Sequence, residues 1–510
     1  MLPVFHILSI DLLLSIPTKY NSRTIDTLQF ATLLYLGIPL VLFFISWLKW
    51  YYAITMVGLL ILPILSFSIK VSHNGAKKFG KYFLVFCGFL LLLGYGEVFP
   101  QSSDWGKHNA IFSNLYHNWD NPVFISYNGF NYTLCYGLGY YMIPAWIAGL
   151  FKSYFLIRWL VLFNSAIGLA LIGLWCNRVW HFSLWISVLL FLIGNVDWIN
   201  DLFWLLKNYS NRWDIFYVIG NLQFLTTIDQ TPQHGISIIL AFLVIFHQFI
   251  STSINFLFCL TIIVLGFFWS PFIIFALLPL VFLVDINQFN RINRELIFWG
   301  LPTVLVSLFL YYYYSLHLSI GKPSFEILSL KKTVYMFVTR YSLLFGIKVL
   351  VIFFIHWKMK FLKPLEIRLI LSFLLIYIIF KQIHYGFFND FDGKSTFLIL
   401  FIMNVYLIRA IILHFSSFNR MLRVVVCLFV FALSFMPLKC IYMKILAFYS
   451  PKYREQFDVN KYLITKGNAI QLENVLKETS EKYNYPFMVQ YLGGKTKVSK
   501  QVMKRDKQEP

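Results

Sequence analysis

Asp104 and His108 stand four residues apart in QSSDWGKHNAIFSNL, directly after a long apolar run. Ser102 or Ser103 can cap a helix that begins near Asp104, and the positive end of the helix dipole favours a carboxylate there. Residues i and i+4 share a helix face, and Ile111, Phe112 and Leu115 continue along it. The helix can therefore anchor on a bundle and leave both polar groups at a cavity entrance. A carboxylate so held stays ionised and can take the proton of a hydroxyl, with the imidazole as its orienting neighbour. The same spacing also describes a plain helix-starting Asp followed by an incidental surface His, and spacing alone leans to that plainer reading.

Two further polar stretches carry candidate chemistry. Residues 195–234 gather Asp197, Asp201, Arg212, Asp214 and Asp229 among several Trp and Tyr, and close on Pro232-Gln233-His234. Aromatic faces beside carboxylates suit a sugar, although a membrane interface carries the same aromatics. Residues 385–395 follow His384 and contain Asn389, Asp390, Asp392 and Lys394, with a turn at Gly393 that lets Lys394 reach a phosphate. The DFDG spacing matches neither a complete calcium loop nor a nucleotide-phosphate loop; no metal ligand is assigned, and a divalent cation stays an open option. A solvated turn of mixed charge is the default for such a stretch. Arg340 and Lys331/Lys332 are other candidate phosphate partners, though a loop lysine more often sits in water.

The elements that must position these groups are membrane helices. Of 510 residues, 59% are hydrophobic and only 13% charged, well below the roughly 25% charged usage of soluble domains. Spans are expected at 28–48, 51–69, 81–96, 154–175, 180–194, 235–251, 253–268, 270–285, 296–316, 341–357, 367–384, 396–414 and 422–441, with a short fourteenth near 3–16. The expected fold is an all-α polytopic membrane protein of about 13 (12–14) transmembrane helices, many of them near the ~20 residues a crossing needs. Residues 1–449 form this transmembrane domain, and residues 450–510 a polar, basic tail with a candidate amphipathic helix around NAIQLENVLKETSEKY.

Lys and Arg exceed Asp and Glu by 43 to 22. The surplus sits in short loops, where the positive-inside rule and anionic lipid account for it, and no nucleic-acid motif accompanies it. Placing Lys70, Lys77, Lys78 and Lys81 in the cytoplasm makes the loops at Arg178, at Arg291 and Arg294, at 357–363 and at Arg409 to Arg423 alternate correctly. The assignment holds if 136–151 lies along the outer interface as a short aromatic helix. The long connections 97–153, 195–234, 317–340 and 385–395 then share the outer side, and connections of that length usually carry function. The six cysteines form no CxxC pattern or disulfide framework.

A span, a long external loop opening on an acidic residue, an interfacial helix with Pro, and a descending span beginning FLIRWLVLFNSAIGLAL make up an arrangement that resembles the C-type (GT-C) superfamily of polytopic glycosyltransferases. That superfamily includes the protein O-mannosyltransferases, the lipid A aminoarabinose transferase and oligosaccharyltransferase. PQHG at 232–235 and FNDFDGKST at 388–396 look similar to patterns in poorly characterised bacterial members. The resemblance covers the first 240 residues and beyond them only the architecture, and Asp104-Trp105 stands where many members carry DD or DE.

The resemblance implies an inverting hexosyltransferase in the bacterial cytoplasmic membrane, with its active site facing outward and a role in cell-envelope glycan or glycolipid assembly. The donor would be a polyprenyl-phosphate sugar from the bilayer, and the acceptor a hydroxyl of a glycan, lipid or protein. Asp104 would be the base with His108 beside it, and Arg212, Gln233, His234, Arg340, Asn389, Asp390 and Lys394 would hold substrate and phosphate. One carboxylate suffices for inversion from a good leaving group. Asp104, His108, His234 and the 389–394 turn are expected to line one cavity open to the outer leaflet. The competing readings are a polysaccharide polymerase or ligase, or a non-enzymatic transporter or flippase of lipid-linked sugars, for which Lys348 and His247 inside spans are the relevant residues.

Overall fold

Asp26 starts the first helix and ties it to the basic end of the molecule. Its carboxylate accepts the backbone N–H groups of Leu28 (2.8 Å) and Gln29 (3.1 Å), while the Gln29 side chain accepts the N–H of Asp26 (2.9 Å). This capping box satisfies donors that a helix start otherwise leaves bare. The same carboxylate pairs with Arg178 at 2.6 Å, its strand pairs in parallel with residues 68–70 opposite Lys70, and Lys78 donates to Asn177. The ring of His247 lies 5.3 Å from Trp175 nearby. Lys70, Lys78 and Arg178 therefore meet at one end of the bundle.

The computed structural model describes residues 24–70, 75–102, 105–119, 124–127, 130–194, 224–251, 254–283, 294–315, 326–327, 346–380, 383–384, 390–449 and 493–495. Helices follow the apolar runs: α1 (Thr27–Trp47), α2 (Trp50–Leu65), α3 (Gly75–Leu92), α4 (Trp105–His117), α5 (Gly139–Leu150), α6 (Ile157–Trp180), α7 (Leu184–Leu192), α8 (Phe224–Gln230), α9 (Pro232–Ile250), α10 (Phe256–Trp269), α11 (Ile273–Leu277), α12 (Arg294–Ser315), α13 (Ile347–Met359), α14 (Pro364–Phe380), α15 (Asp390–His414) and α16 (Arg420–Tyr449). Short sheets join β1 (Thr24–Asp26) to β2 (Ser68–Lys70), and β5 (Glu326–Ile327) to β6 (Ile383–His384). The hairpin of β3 (Phe124–Tyr127) and β4 (Phe130–Leu134) gains a third strand, β7 (Gly493–Lys495). The last pairing brings residues 493–495 to the side of the bundle that carries the 97–153 loop.

By length and composition, four helices can cross a bilayer: Thr27–Trp47, Tyr154–Trp180, Pro232–Ile250 and Phe397–Ser417. The bent pair Arg420–Phe435 and Pro437–Tyr449 makes a fifth if it is one span. The fold is thus all-α with the helices of an integral membrane protein. Residues 3–16 and the amphipathic stretch of the tail lie outside the described residues. The aromatic segment expected at 136–151 is the helix α5, whose twelve residues reach about 18 Å at ~1.5 Å per residue, short of a ~30 Å hydrocarbon core. Tyr140, Tyr141 and Met142 are buried, and Leu150 and Phe151 are exposed.

The segment expected as a full span at 180–194 falls short of one. His181 adopts a left-handed conformation, Ser183 caps a new helix through Ile186 N–H, and α7 stops after nine residues. Its end is buried but not bare. Asn404 Nδ2 donates to the carbonyl of Ile193 (2.7 Å), and Lys348 Nζ donates to the carbonyl of Gly194 (2.6 Å) and to Asn404 Oδ1 (2.7 Å). A cation at a helix C-terminus complements the dipole, and the donors occupy carbonyls that apolar surroundings would otherwise leave costly. The N–H of Gly194 donates to the carbonyl of Leu433 at 2.9 Å. Leu433 lies four residues before Pro437, which has no N–H to give it, and α16 bends by 47° there. A Cβ on Gly194 would lie 3.1 Å from both Leu433 O and Pro437 Cδ, so the close approach favours glycine.

Candidate functional site

At the end of the bundle away from Arg178, the short helix α8 meets the first turn of α9. A helix C-terminus leaves its last carbonyls without partners, and here three successive ones each receive a side-chain donor from the loop after α3 or the first turn of α4. Tyr95 OH donates to Ile228 O (2.6 Å), Trp105 Nε1 to Asp229 O (2.9 Å), and the His108 ring meets Gln230 O through Nε2 (2.6 Å). The Asp229 carboxylate accepts from Lys444 at 2.9 and 3.0 Å, and Lys444 also donates to Leu93 O, at the end of α3, at 2.7 Å. The two charged side chains are almost wholly buried. One lysine from α16 thereby fixes both α3 and α8.

These contacts settle the state of His108. Gln230 O can only accept, so Nε2 carries the proton, and Nδ1 accepts from Tyr141 OH at 2.5 Å. Burial first, then the Lys107 ammonium, lower the imidazole from its ordinary 6.5 to about 3; the Gln230 carbonyl opposes this, and Lys394 adds to it. His108 is therefore neutral and has both nitrogens engaged. It does not stand at a cavity entrance, and no ring nitrogen remains to orient Asp104. The face that carries Ile111, Phe112 and Leu115 is buried as a whole and takes His108 with it, so His108 is not the surface imidazole of the plainer reading.

The next residues of α9 build a second cluster around Tyr136. Gln233 Nε2 donates to Tyr136 OH (2.8 Å), the His234 ring stands edge-on to Tyr136 (6.4 Å) and to Phe272 (5.5 Å), and His234 Nδ1 lies 2.8 Å from Ser270 Oγ. The ammonium of Lys107 lies 5.8 Å from the centre of the Tyr136 ring, and that of Lys394 5.4 Å from the centre of Phe272. Both lysines act electrostatically on His108 and on His234. Gln233 and His234 are fully buried, yet Gln233 Oε1 and His234 Nε2 have no protein partner. Buried polar atoms are normally satisfied, so these two neighbouring orphans leave hydrogen-bonding capacity for an ordered water or a ligand group.

The backbone beneath Tyr136 is held firmly. Its N–H donates to Tyr313 OH (3.2 Å), which donates in turn to Leu134 O (3.0 Å). A Cβ on Gly139 would sit 2.4 Å from the indole of Trp269, and one on Gly137 would sit 2.3 Å from the carbonyl of Trp269. The run YGLGYY is thus pressed onto α10, and Trp269 is itself pinned through Nε1 to Leu36 O (3.0 Å).

Of the residues expected to act, His108, Gln233, His234 and Lys394 come together. Asp104, Arg212, Arg340 and Asn389 lie outside the described residues, and Asp390 begins α15 with a side chain that does too. Among the described residues no three His, Cys, Asp or Glu side chains converge as a metal site would require. The described cluster joins two ammonium groups to two imidazoles that each have a nitrogen engaged, a poor donor set for a cation, so no step is routed through one. Lys107, Tyr136, Tyr141 and the Asp229–Lys444 pair are additions that spacing does not reveal. Lys107 reads as an ordinary loop lysine, and Lys444 lies 215 residues from Asp229. Comparison with family models, with curated proteins and with solved structures finds no match for this chain.

Proposed function

We propose that this chain is a membrane glycosyltransferase that moves a hexose from a polyprenyl-phosphate donor to a hydroxyl acceptor on the outer face of a bacterial cytoplasmic membrane, within a scaffold of about thirteen crossings of ~20 residues. One observation carries the reading. Lys107 and Lys394 converge on the start of α9, where buried Gln233 Oε1 and His234 Nε2 lack protein partners. Two cations beside orphaned polar atoms and aromatic rings suit a ligand with both an anionic group and hydroxyls. A lipid-linked sugar phosphate has that chemistry.

In the reaction the acceptor oxygen bonds to the anomeric carbon as the bond from that carbon to the phosphate oxygen breaks. Asp104 takes the acceptor proton, and polyprenyl phosphate leaves with one more negative charge than the phosphodiester carried. Lys107 and Lys394 stabilise that added charge in surroundings of low dielectric, where such stabilisation is strongest. His108 acts as a neutral fastener that holds α4 to the break between α8 and α9. The transporter reading has less support, because Lys348 is engaged in closing the end of α7.

The test is transfer of labelled hexose from polyprenyl-phosphate donors in proteoliposomes. Asp104→Asn should lower transfer by about 10²-fold or more, the usual scale of a lost general base, at unchanged expression. Unchanged transfer removes Asp104 as the base, and a wild-type protein inert with every polyprenyl-phosphate hexose removes the proposed function.

A further inference from the structure

We infer that Gln233 and His234 read the hydroxyls of the donor's sugar ring, while the phosphate is left to the lysines; this rests on the glycosyltransferase reading and deepens it. The argument is one of hydrogen-bond capacity. The Gln233 amide spends one end on Tyr136 OH, and His234 spends Nδ1 on Ser270 Oγ. The end of Gln233 that remains is its carbonyl oxygen, an acceptor only. A phosphate oxygen is also an acceptor and would be repelled there, whereas a hydroxyl donates to it. With the amide turned over, the remaining end is a donor, and a hydroxyl accepts from it equally well. The same holds for His234 Nε2 in either tautomer. Of the groups on a lipid-linked hexose phosphate, the sugar's hydroxyls satisfy the pair in every assignment and the phosphate does not.

The placement agrees with that division of labour. Gln233 and His234 are adjacent on the first turn of α9 and share the Tyr136 ring, while the ammonium groups of Lys107 and Lys394 lie 5.8 Å from the Tyr136 ring centre and 5.4 Å from that of Phe272. A site built to hydrogen-bond a hydroxyl discriminates strongly against a ligand without one, because its own buried groups are left unpaired.

The experiment measures binding of bare polyprenyl phosphate and of the same lipid carrying glucose, mannose or N-acetylglucosamine to the full chain in nanodiscs. In the wild type at least one hexose form should bind about tenfold tighter than the bare lipid, the scale of one to two satisfied buried hydrogen bonds. Gln233→Met and His234→Phe should each erase most of that preference and keep the affinity for bare lipid, which also reports that the variants fold. Lys394→Met should weaken bare and sugar-bearing lipids alike. A preference undiminished in both α9 variants overturns the inference, as does a wild type that binds all forms equally. Loss of bare-lipid binding in correctly folded Gln233→Met, as large as the loss of hexose-lipid binding, would assign the pair to the phosphate instead. A wild type that binds none of the lipids overturns the glycosyltransferase reading itself.

Discussion

Replacing Lys444 by Met removes the ammonium that lies 2.9 and 3.0 Å from the Asp229 carboxylate oxygens and 2.7 Å from Leu93 O. Side-chain exposures are 1% for Lys444 and 6% for Asp229, so water does not replace the lost partner. Breaking a buried pair from one side costs about 3–5 kcal/mol, mostly as the penalty of the charge left behind. The orphaned Leu93 carbonyl adds about 1 kcal/mol. Asp229→Asn should cost about 3 kcal/mol, because its amide still offers an oxygen to Lys444. The double variant Asp229→Asn/Lys444→Met leaves no buried charge and should recover to within about 2 kcal/mol of wild type. The two changes must therefore be coupled by about 5 kcal/mol or more, the quantity a double-mutant cycle isolates. The assay is reversible unfolding in mixed micelles, followed by tryptophan fluorescence. Strict additivity of the two losses, or a Lys444→Met cost below about 1 kcal/mol, would show that the pair does not carry the electrostatic stabilisation assigned to it.

His108 provides a second test, through pH. Its folded pKa of about 3 lies below the ordinary value of about 6.5, so between these two values the unfolded chain binds more protons and stability rises with pH. Acidifying from pH 6.5 to 5 should cost about 2 kcal/mol more in the wild type than in His108→Gln, at ~1.4 kcal/mol per unit; equal slopes in the two proteins would refute a buried neutral imidazole. Gly139→Ala forces a methyl to within 2.4 Å of the Trp269 indole and should cost about 1–3 kcal/mol as overpacking, visible as a lowered midpoint in the same assay.

Apolar runs alone locate most helices, because a segment facing lipid or a bundle must stay apolar for its whole length. The expected 28–48, 235–251 and 296–316 correspond to α1, α9 and α12 within a few residues. Where a distant partner sets the structure, the runs mislead. The apolar stretch 180–194 reads as one crossing, yet α7 ends at Leu192, where Lys348 and Asn404, more than a hundred residues on, hold its last carbonyls. Site residues divide in the same way. Pro232-Gln233-His234 is legible as a polar helix start, whereas the turn expected at Gly393 is instead part of α15, so Lys394 stands on the first turns of a helix. The role of His108 is not legible, since it depends on Tyr141 and on Gln230, which spacing does not connect to it. Lys107 stands next to His108 in sequence, and only its approach to Tyr136 distinguishes it.

The bend of α16 has a consequence for how the protein is made. Ribosomes deliver helices in order, and α16 is the last of the described helices to emerge. Until it does, the N–H of Gly194 lacks the carbonyl of Leu433, and the Asp229 carboxylate lacks Lys444. Both earlier helices thus stay without these contacts until the late arrival supplies them. A nascent chain halted before residue 433 therefore lacks both of these long-range contacts, and the ends of α7 and α8 are completed only when α16 is in place.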